Sequence, residues 1–583
     1  QANGLWEGAL GASAKALGRF RYQQLGAAFL SDDFMRGEKE QGAWKVIGGT
    51  WSIRSTGDPK MGANPFTYRG KCAPGTGWAV AGFSFWDDYS FSISAKPTSK
   101  TGAVALAFHF RDEKNHLLFR LRVSDSPAKG KKGAELVRVS DGKETVLAQG
   151  DGCLVKGQWY RLSVQSEGEI ATASIDGKEL LRAKDNVLRA GKVALAVRDG
   201  EAEFDDAAVR PISETTGPEL AELDGAVPRF AGTMDRDTWA GAALQWRAAP
   251  STPGLFWRRG AFSGDIDLTL TCNFGNTPAA AAALTLLLVP AEGPADSGYG
   301  LILRPSATTA GATRRNYEVE FTRQGTSVAR AAVVSGPDPV LTMRRVGSEL
   351  TASVDGRQVL ACPPSGDLAA CSQLGFQATG FLPRISGLRL HAGNVLDYYF
   401  DHAPTDWWIG SGTWELAVRW PCTPEWSWLA GESRSVAALW HKRQFTGDHT
   451  LDLHVGPRTV DHGDKRPREI CRAFNVLLCG DGQDVKSGYS FVVGGGKTGT
   501  GATLSRNGKV VASEPAYRIY SDAHNQWINV RAEKVGATIR LWVGDQRVLS
   551  WQDPDPLPGG RLAVWTQDNA VMIPRVTIYH AGS

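Results

Sequence analysis

Apolar and polar residues alternate with a period of two in three related runs, Trp159-Tyr-Arg-Leu-Ser-Val, Leu341-Thr-Met-Arg-Arg-Val and Trp527-Ile-Asn-Val-Arg-Ala. That period predicts half-buried β-strands, because successive side chains of a strand point to opposite faces. Each run leads into a strand-turn-strand: Ala173-Ser-Ile-Asp-Gly-Lys-Glu-Leu-Leu, Ala352-Ser-Val-Asp-Gly-Arg-Gln-Val-Leu and Leu541-Trp-Val-Gly-Asp-Gln-Arg-Val-Leu. Asp-Gly between alternating apolar positions predicts a two-residue hairpin, since both central residues of a type I′ turn need positive φ, which Gly adopts without steric cost. A further strand follows each hairpin: Lys192-Val-Ala-Leu-Ala-Val, Gln373-Leu-Gly-Phe-Gln-Ala and Arg561-Leu-Ala-Val-Trp-Thr. The pattern predicts an all-β chain of two-layered sandwiches.

Other landmarks keep the same order. Phe262-Ser-Gly-Asp-Ile-Asp-Leu matches Phe445-Thr-Gly-Asp-His-Thr-Leu, with Asp87-Asp-Tyr-Ser-Phe a looser counterpart, and Gly49-Thr-Trp51 matches Gly412-Thr-Trp414. The hairpins recur about 180 to 190 residues apart. This spacing predicts units at 29–212, 229–394 and 395–583, with a polar linker at 213–228 that contains Gly217, Pro218 and Pro228. Residues 1–28 stand apart: Leu5, Trp6, Leu10, Leu17, Phe20 and Leu25 are spaced for one face of a helix. Gly4, Gly8, Gly11 and Gly18 weaken that helix by up to about 1 kcal/mol each.

The strand order, the Asp-Gly hairpin and the closing Phe204-Asp-Asp-Ala-Ala-Val resemble the concanavalin A-like lectin/glucanase superfamily, which includes laminin-G-like domains and the 3-keto-disaccharide hydrolase domain. The resemblance runs over about residues 29 to 583. It implies three tandem concanavalin A-like jelly-roll sandwiches, and it bears on fold rather than activity.

Composition narrows the classes. A length of 583 residues calls for several cores, and a formal charge of +4 gives no field to attract nucleic acid. The longest apolar stretch, around Ala279 to Val289, is too short to span a bilayer. The chain starts at Gln1, as a chain does after removal of a signal peptide, and its eight cysteines lack metal-ligand spacing. Together these predict a secreted protein, extracellular, at the cell surface or periplasmic, with at least two disulfides. Cys362 with Cys371 is the first candidate pair, and Cys471 with Cys479 is also close enough to close a small loop.

Catalysis finds little support. The Glu-x-Asp-x-x-Glu string of the related glucanases is absent, and Glu201-Ala-Glu-Phe-Asp-Asp206 has different spacing. Ser297-Gly-Tyr and Ser487-Gly-Tyr match the 3-keto-disaccharide hydrolases only in part, which keeps that activity as an alternative. Seven tryptophans lie between positions 407 and 440. Their flat faces either fill a core or stack on sugar rings, and Trp420, Trp426, Trp428 and Trp440 are the ligand candidates, with Trp426 and Trp428 foremost beside Pro421 and Pro424. Asp33 and Asp205, near the two ends of the first unit, are the candidates for a structural calcium. The expected function is a non-catalytic binder or scaffold whose partner is a glycan or cell-surface polymer. The alternative to glycan binding is self-assembly, or assembly with another extracellular protein, through the N-terminal segment.

Overall fold

A computed structural model describes residues 29–581 apart from 38–41, 56–65, 126–131, 213–245, 307–313, 417–427, 461–468, 519–527 and shorter stretches. The 1–28 segment and the 213–228 linker lie outside the described residues. The alternating runs form antiparallel strands almost throughout, and among the described residues helical structure is confined to the 3-10 turn Leu368–Ala370. The chain is all-β.

Buried apolar side chains gather into three main cores. The first holds Phe91, Ile93, Leu106, Phe119, Leu195 and Phe204, between residues 29 and 209. The second holds Leu268, Leu286, Leu301, Phe321 and Phe376, between 256 and 395. The third holds Leu451, Val476, Phe491, Val530, Val564 and Ile578, between 400 and 578. We refer to the surrounding stretches as the first, second and third blocks.

One three-stranded meander recurs in each block. It is Tyr160–Glu167, Ile170–Ile175 and Lys178–Lys184 in the first, Val340–Val346, Glu349–Val354 and Arg357–Cys362 in the second, and Ile528–Val535, Thr538–Val543 and Gln546–Gln552 in the third. The Asp-Gly turns adopt the left-handed backbone that their sequence calls for, with φ of 50° at Asp176 and 76° at Gly177, and 51° at Asp355 and 74° at Gly356. Each hairpin slips register at the same place, between Ala173 and Ser174, Ala352 and Ser353, and Leu541 and Trp542.

Long bent strands join the two layers of the first and third blocks. Lys192–Pro211 pairs along its first half with Ala103–Asp112 and along its second half with Tyr89–Pro97, changing register between Arg198 and Gly200. Gly559–His580 does the same in the third block, against Leu429–His441, Phe474–Gly480 and His449–Pro457. In the second block the two roles fall to separate strands, Cys371–Thr379 and Arg384–Ala392.

The third block touches both others. Val395–Tyr398 pairs with Gly559–His580, and Ala392 pairs with Val395 across the tight turn that joins the second block to the third. The first and third blocks meet through side chains. The Gln158 amide donates to the Ile409 carbonyl at 2.9 Å and accepts from the Ile409 N–H at 3.0 Å, so it mimics a strand neighbour. Asp206 binds the His402 ring at 2.8 Å and the Ala403 N–H at 3.0 Å. Lys442 donates to Asp176 at 2.6 Å and to the Trp159 carbonyl at 2.8 Å, with its ammonium 4.4 Å from the centre of the Tyr160 ring.

The expected disulfide between Cys362 and Cys371 is not formed. Both thiols are buried in the second core as small apolar groups, and burial pushes Cys371 up to about 11. Cys72, Cys153, Cys272 and Cys479 are also free, and Cys422 and Cys471 lie outside the described residues.

Candidate functional site

The outer face of the first block's second layer is polar because alternation that sends Ile53, Tyr68, Phe204 and Ala95 into the core turns Arg54, Thr67, Glu203 and Lys96 outward. Against that face the third block sets the strands Trp407–Ser411 and Thr413–Leu416. Between them lies a cleft of about 520 Å³, within the roughly 300–1,000 Å³ usual for small-ligand sites. Its first-block wall carries Arg54, Thr67, Lys96, Thr98, Lys156 and Glu203. Its third-block wall is apolar, with Pro404, Trp407, Ile409, Trp414 and Leu416, and Glu415 at the edge.

Apart from the ion-paired Glu203, three buried polar groups in these walls have no hydrogen-bond partner among the described residues: the hydroxyls of Thr67 and Thr98 and the indole N–H of Trp407. Leaving a buried donor or acceptor unpaired costs about 1–3 kcal/mol. Their gathering in one cleft therefore asks for a physical reason. Lys96 is committed, ion-paired to Glu203 at 2.6 Å and placed 4.9 Å from the centre of the Trp159 ring.

Beneath the apolar wall Trp407 packs edge-on to Tyr398 and His441. The Arg443 N–H donates to His441 Nδ1 at 3.1 Å, which leaves His441 Nε2–H to donate to Tyr398 at 2.7 Å, while Tyr398 donates to Asp406 at 2.8 Å. Burial holds His441 neutral, its pKa lowered from 6.5 to about 4, and His449 shares that value for the same reason. Both folded values lie below the unfolded one, so these rings add stability above about pH 6.5 that is lost as pH falls toward 4. The melting temperature is expected to be level from pH 8 to 7 and to fall steadily below 6.5, with a shallower fall in His441→Gln. A melting temperature unchanged down to pH 4.5 would contradict the buried-neutral assignment.

A second hollow, about 220 Å³, lies on the outer face of the first block's other layer, beside Trp78, Ala105, His116, Arg120, Glu144 and Arg198. Its polar groups are already engaged. Arg120 binds Glu135 at 2.8 Å and Glu144 at 3.0 Å, and His116 donates its Nδ1–H to the Asp112 carbonyl at 3.1 Å while packing on Trp78 and Phe110. No buried side-chain polar atom lining it lacks a partner among the described residues.

Of the tryptophans that the sequence offered as ligand platforms, Trp428 and Trp440 do not line this cleft. Trp428 and Trp440 are both 0% exposed, so neither ring presents a face to a ligand. Trp440 lies on the sheet face away from the third core, and it is buried there because glycines at 410 and 480 leave its ring a slot. Trp420 and Trp426 lie outside the described residues. The cleft's own aromatics, Trp159, Trp407 and Trp414, were legible as tryptophans but not as neighbours.

Asp205 is fully buried, and burial raises its pKa well above the usual carboxylate range, with the Asp206 and Asp33 charges adding to the rise. One of its oxygens accepts the Asp206 N–H at 2.8 Å and the other has no hydrogen-bond partner among the described residues. Asp33 and Asp205 together offer a cation two carboxylates, where Ca²⁺ takes six to eight oxygens. No group of three His, Cys, Asp or Glu that could hold a metal occurs among the described residues.

No family model and no curated protein matches the sequence. Among solved structures the chain is similar to the carbohydrate binding module CBM66 from Bacillus subtilis, with 22% identity over 29% of this chain and 95% of that one, at a TM-score of 0.24. It is also similar to the Bacillus licheniformis beta-glucanase, with 10% identity over 31% and 98% of the two chains and a TM-score of 0.23. A Bacillus subtilis protein of unknown function with a galectin-like fold shows 15% identity over 32% and 96%, at 0.24.

Proposed function

We propose that the chain is a secreted, non-catalytic glycan-binding protein of three tandem concanavalin A-like sandwiches, at 29–212, 229–394 and 395–583, and that its ligand lies in the cleft between the first and third. One observation carries the reading: a single cleft of about 520 Å³ sets an apolar wall, its half-exposed part formed by Ile409 and Leu416, against buried hydroxyl and indole groups that lack partners among the described residues. A sugar hydroxyl settling there supplies the missing hydrogen bonds, after a turn about the Thr Cα–Cβ bond where needed.

The sign of two effects separates this reading from mere packing imperfection. Thr67→Val and Thr98→Val are expected to leave the unliganded protein as stable or more stable by up to about 1 kcal/mol, since each removes an unpaired buried hydroxyl. The same variants are expected to weaken glycan binding by about 1 kcal/mol each, roughly fivefold. Calorimetric titration against a panel of oligosaccharides, with a melt of each variant, tests both. Variants that lose stability and keep full affinity would refute the assignment.

A hydrolase is the second reading, favoured by Glu203 and Glu415 on opposite walls of the cleft, since glycoside hydrolysis uses two carboxylates across the substrate. The Lys96 ion pair ties up Glu203 and weighs against it. Release of reducing sugar by the wild type, abolished by Glu415→Gln, would establish turnover in place of binding alone.

A further inference from the structure

Resting on the glycan-binding reading of the cleft, we infer that its ligand is an anionic saccharide, with sugar rings bearing carboxylate or sulfate groups. The argument is an inventory of donors, acceptors and charges. The cleft is lined by three cations, Arg54, Lys96 and Lys156, and two carboxylates, Glu203 and Glu415. Lys96 and Glu203 neutralise each other at 2.6 Å. Glu415 is engaged as well. Arg54 and Lys156, both exposed, have no carboxylate within ion-pair distance among the described residues.

Hydrogen-bonding capacity leans the same way. Arg54 offers five N–H donors and no acceptor, Lys156 three donors and no acceptor, and the Trp407 indole one donor and no acceptor. The Thr67 and Thr98 hydroxyls can play either part, while the Gln158 amide, which also can, is already spent on Ile409. A neutral sugar, whose hydroxyls must donate as often as they accept, leaves much of that wall unused. A ring carrying an anionic group brings an acceptor-only group with several lone pairs to it, in charge-assisted bonds that are about twice as strong as neutral ones. The apolar wall, where Ile409 and Leu416 are half-exposed, takes the ring face, so the anionic substituent points to the first block.

The test titrates the full chain with tri-galacturonate, with its methyl-esterified neutral form, and with a sulfated galactose trisaccharide, at low and moderate salt. At low salt at least one anionic ligand is expected to bind about tenfold tighter than the neutral ester, and the ratio is expected to shrink as salt screens the contacts. The two anionic arms separate carboxylate from sulfate as the recognised group. Arg54→Gln with Lys156→Gln is expected to abolish the tenfold preference, so that the anionic ligands and the neutral ester bind the variant about equally. Equal affinity for all three ligands would overturn the anionic class and leave glycan binding standing. Binding of none, by a chain that melts normally, would overturn this inference together with the function beneath it.

Discussion

Replacing Trp440 by Ala is expected to destabilise the chain by about 3–5 kcal/mol, the usual cost of emptying a large buried site. The ring is 0% exposed and packs with Ala438, Leu477, Ala563 and Trp565 on the sheet face turned away from the third core. Glycine lines the slot on both sides. A Cβ added at Gly410 would lie 2.7 Å from the Trp440 ring, and one added at Gly480 would lie 2.6 Å from it, so the surroundings are shaped to this side chain and cannot close on a smaller one. Trp428→Ala is expected to behave alike, because that ring is equally buried against Ala430 and Met572. Urea unfolding of the two variants measures the cost. Glycan affinity per folded molecule should be unchanged in both, and its selective loss in a stable variant would return these residues to the ligand role that the sequence suggested.

Lys442→Met is expected to cost about 2–3 kcal/mol and to loosen the contact between the first and third blocks. Removing one partner of a buried ion pair costs about 3–5 kcal/mol because the other charge is stranded. Here the side chains of Lys442 and Asp176 keep 18% and 23% of their exposure, and water offsets part of that loss. Burial dominates both groups, holding the Lys442 pKa below its normal value and the Asp176 pKa above its own despite their mutual attraction. The pair therefore fixes an arrangement rather than adding stability over an apolar contact. Adding Asp176→Asn to Lys442→Met should recover most of the loss, since Asn also tolerates the turn's positive φ and keeps an oxygen for the Arg161 N–H. A double-mutant cycle by thermal melting, with small-angle scattering to follow the docking, reads both effects. Additive losses would show that the two side chains do not act as a pair.

Strands and hairpins were legible because their causes are local. Ala352, Val354 and Leu360 alternate within a few residues of an Asp-Gly turn, and the turn and register follow from that segment alone. The cleft has no such signature. Gln158 meets Ile409 across 251 positions and Lys442 meets Asp176 across 266, and neither pair differs in composition from any solvated polar residue and its neighbour. The tryptophans show the same boundary. Density of Trp between 407 and 440 marked an unusual region, but which rings are covered depends on Gly410 and on Gly480, forty positions beyond Trp440. Cysteine spacing misled for a related reason: Cys362 and Cys371 are near in sequence, and each is held in the second core as an apolar group.

The most direct test is photo-crosslinking of the intact protein with two diazirine-bearing trisaccharides, one neutral and one uronic, followed by peptide mapping. If the ligand lies between the first and third blocks, both walls must be labelled together, at Lys156 to Trp159 and at Pro404 to Leu416, and excess unlabelled sugar must suppress the labelling. Specific labelling confined to the hollow around Trp78 and His116, or to a segment of the second block, would contradict it.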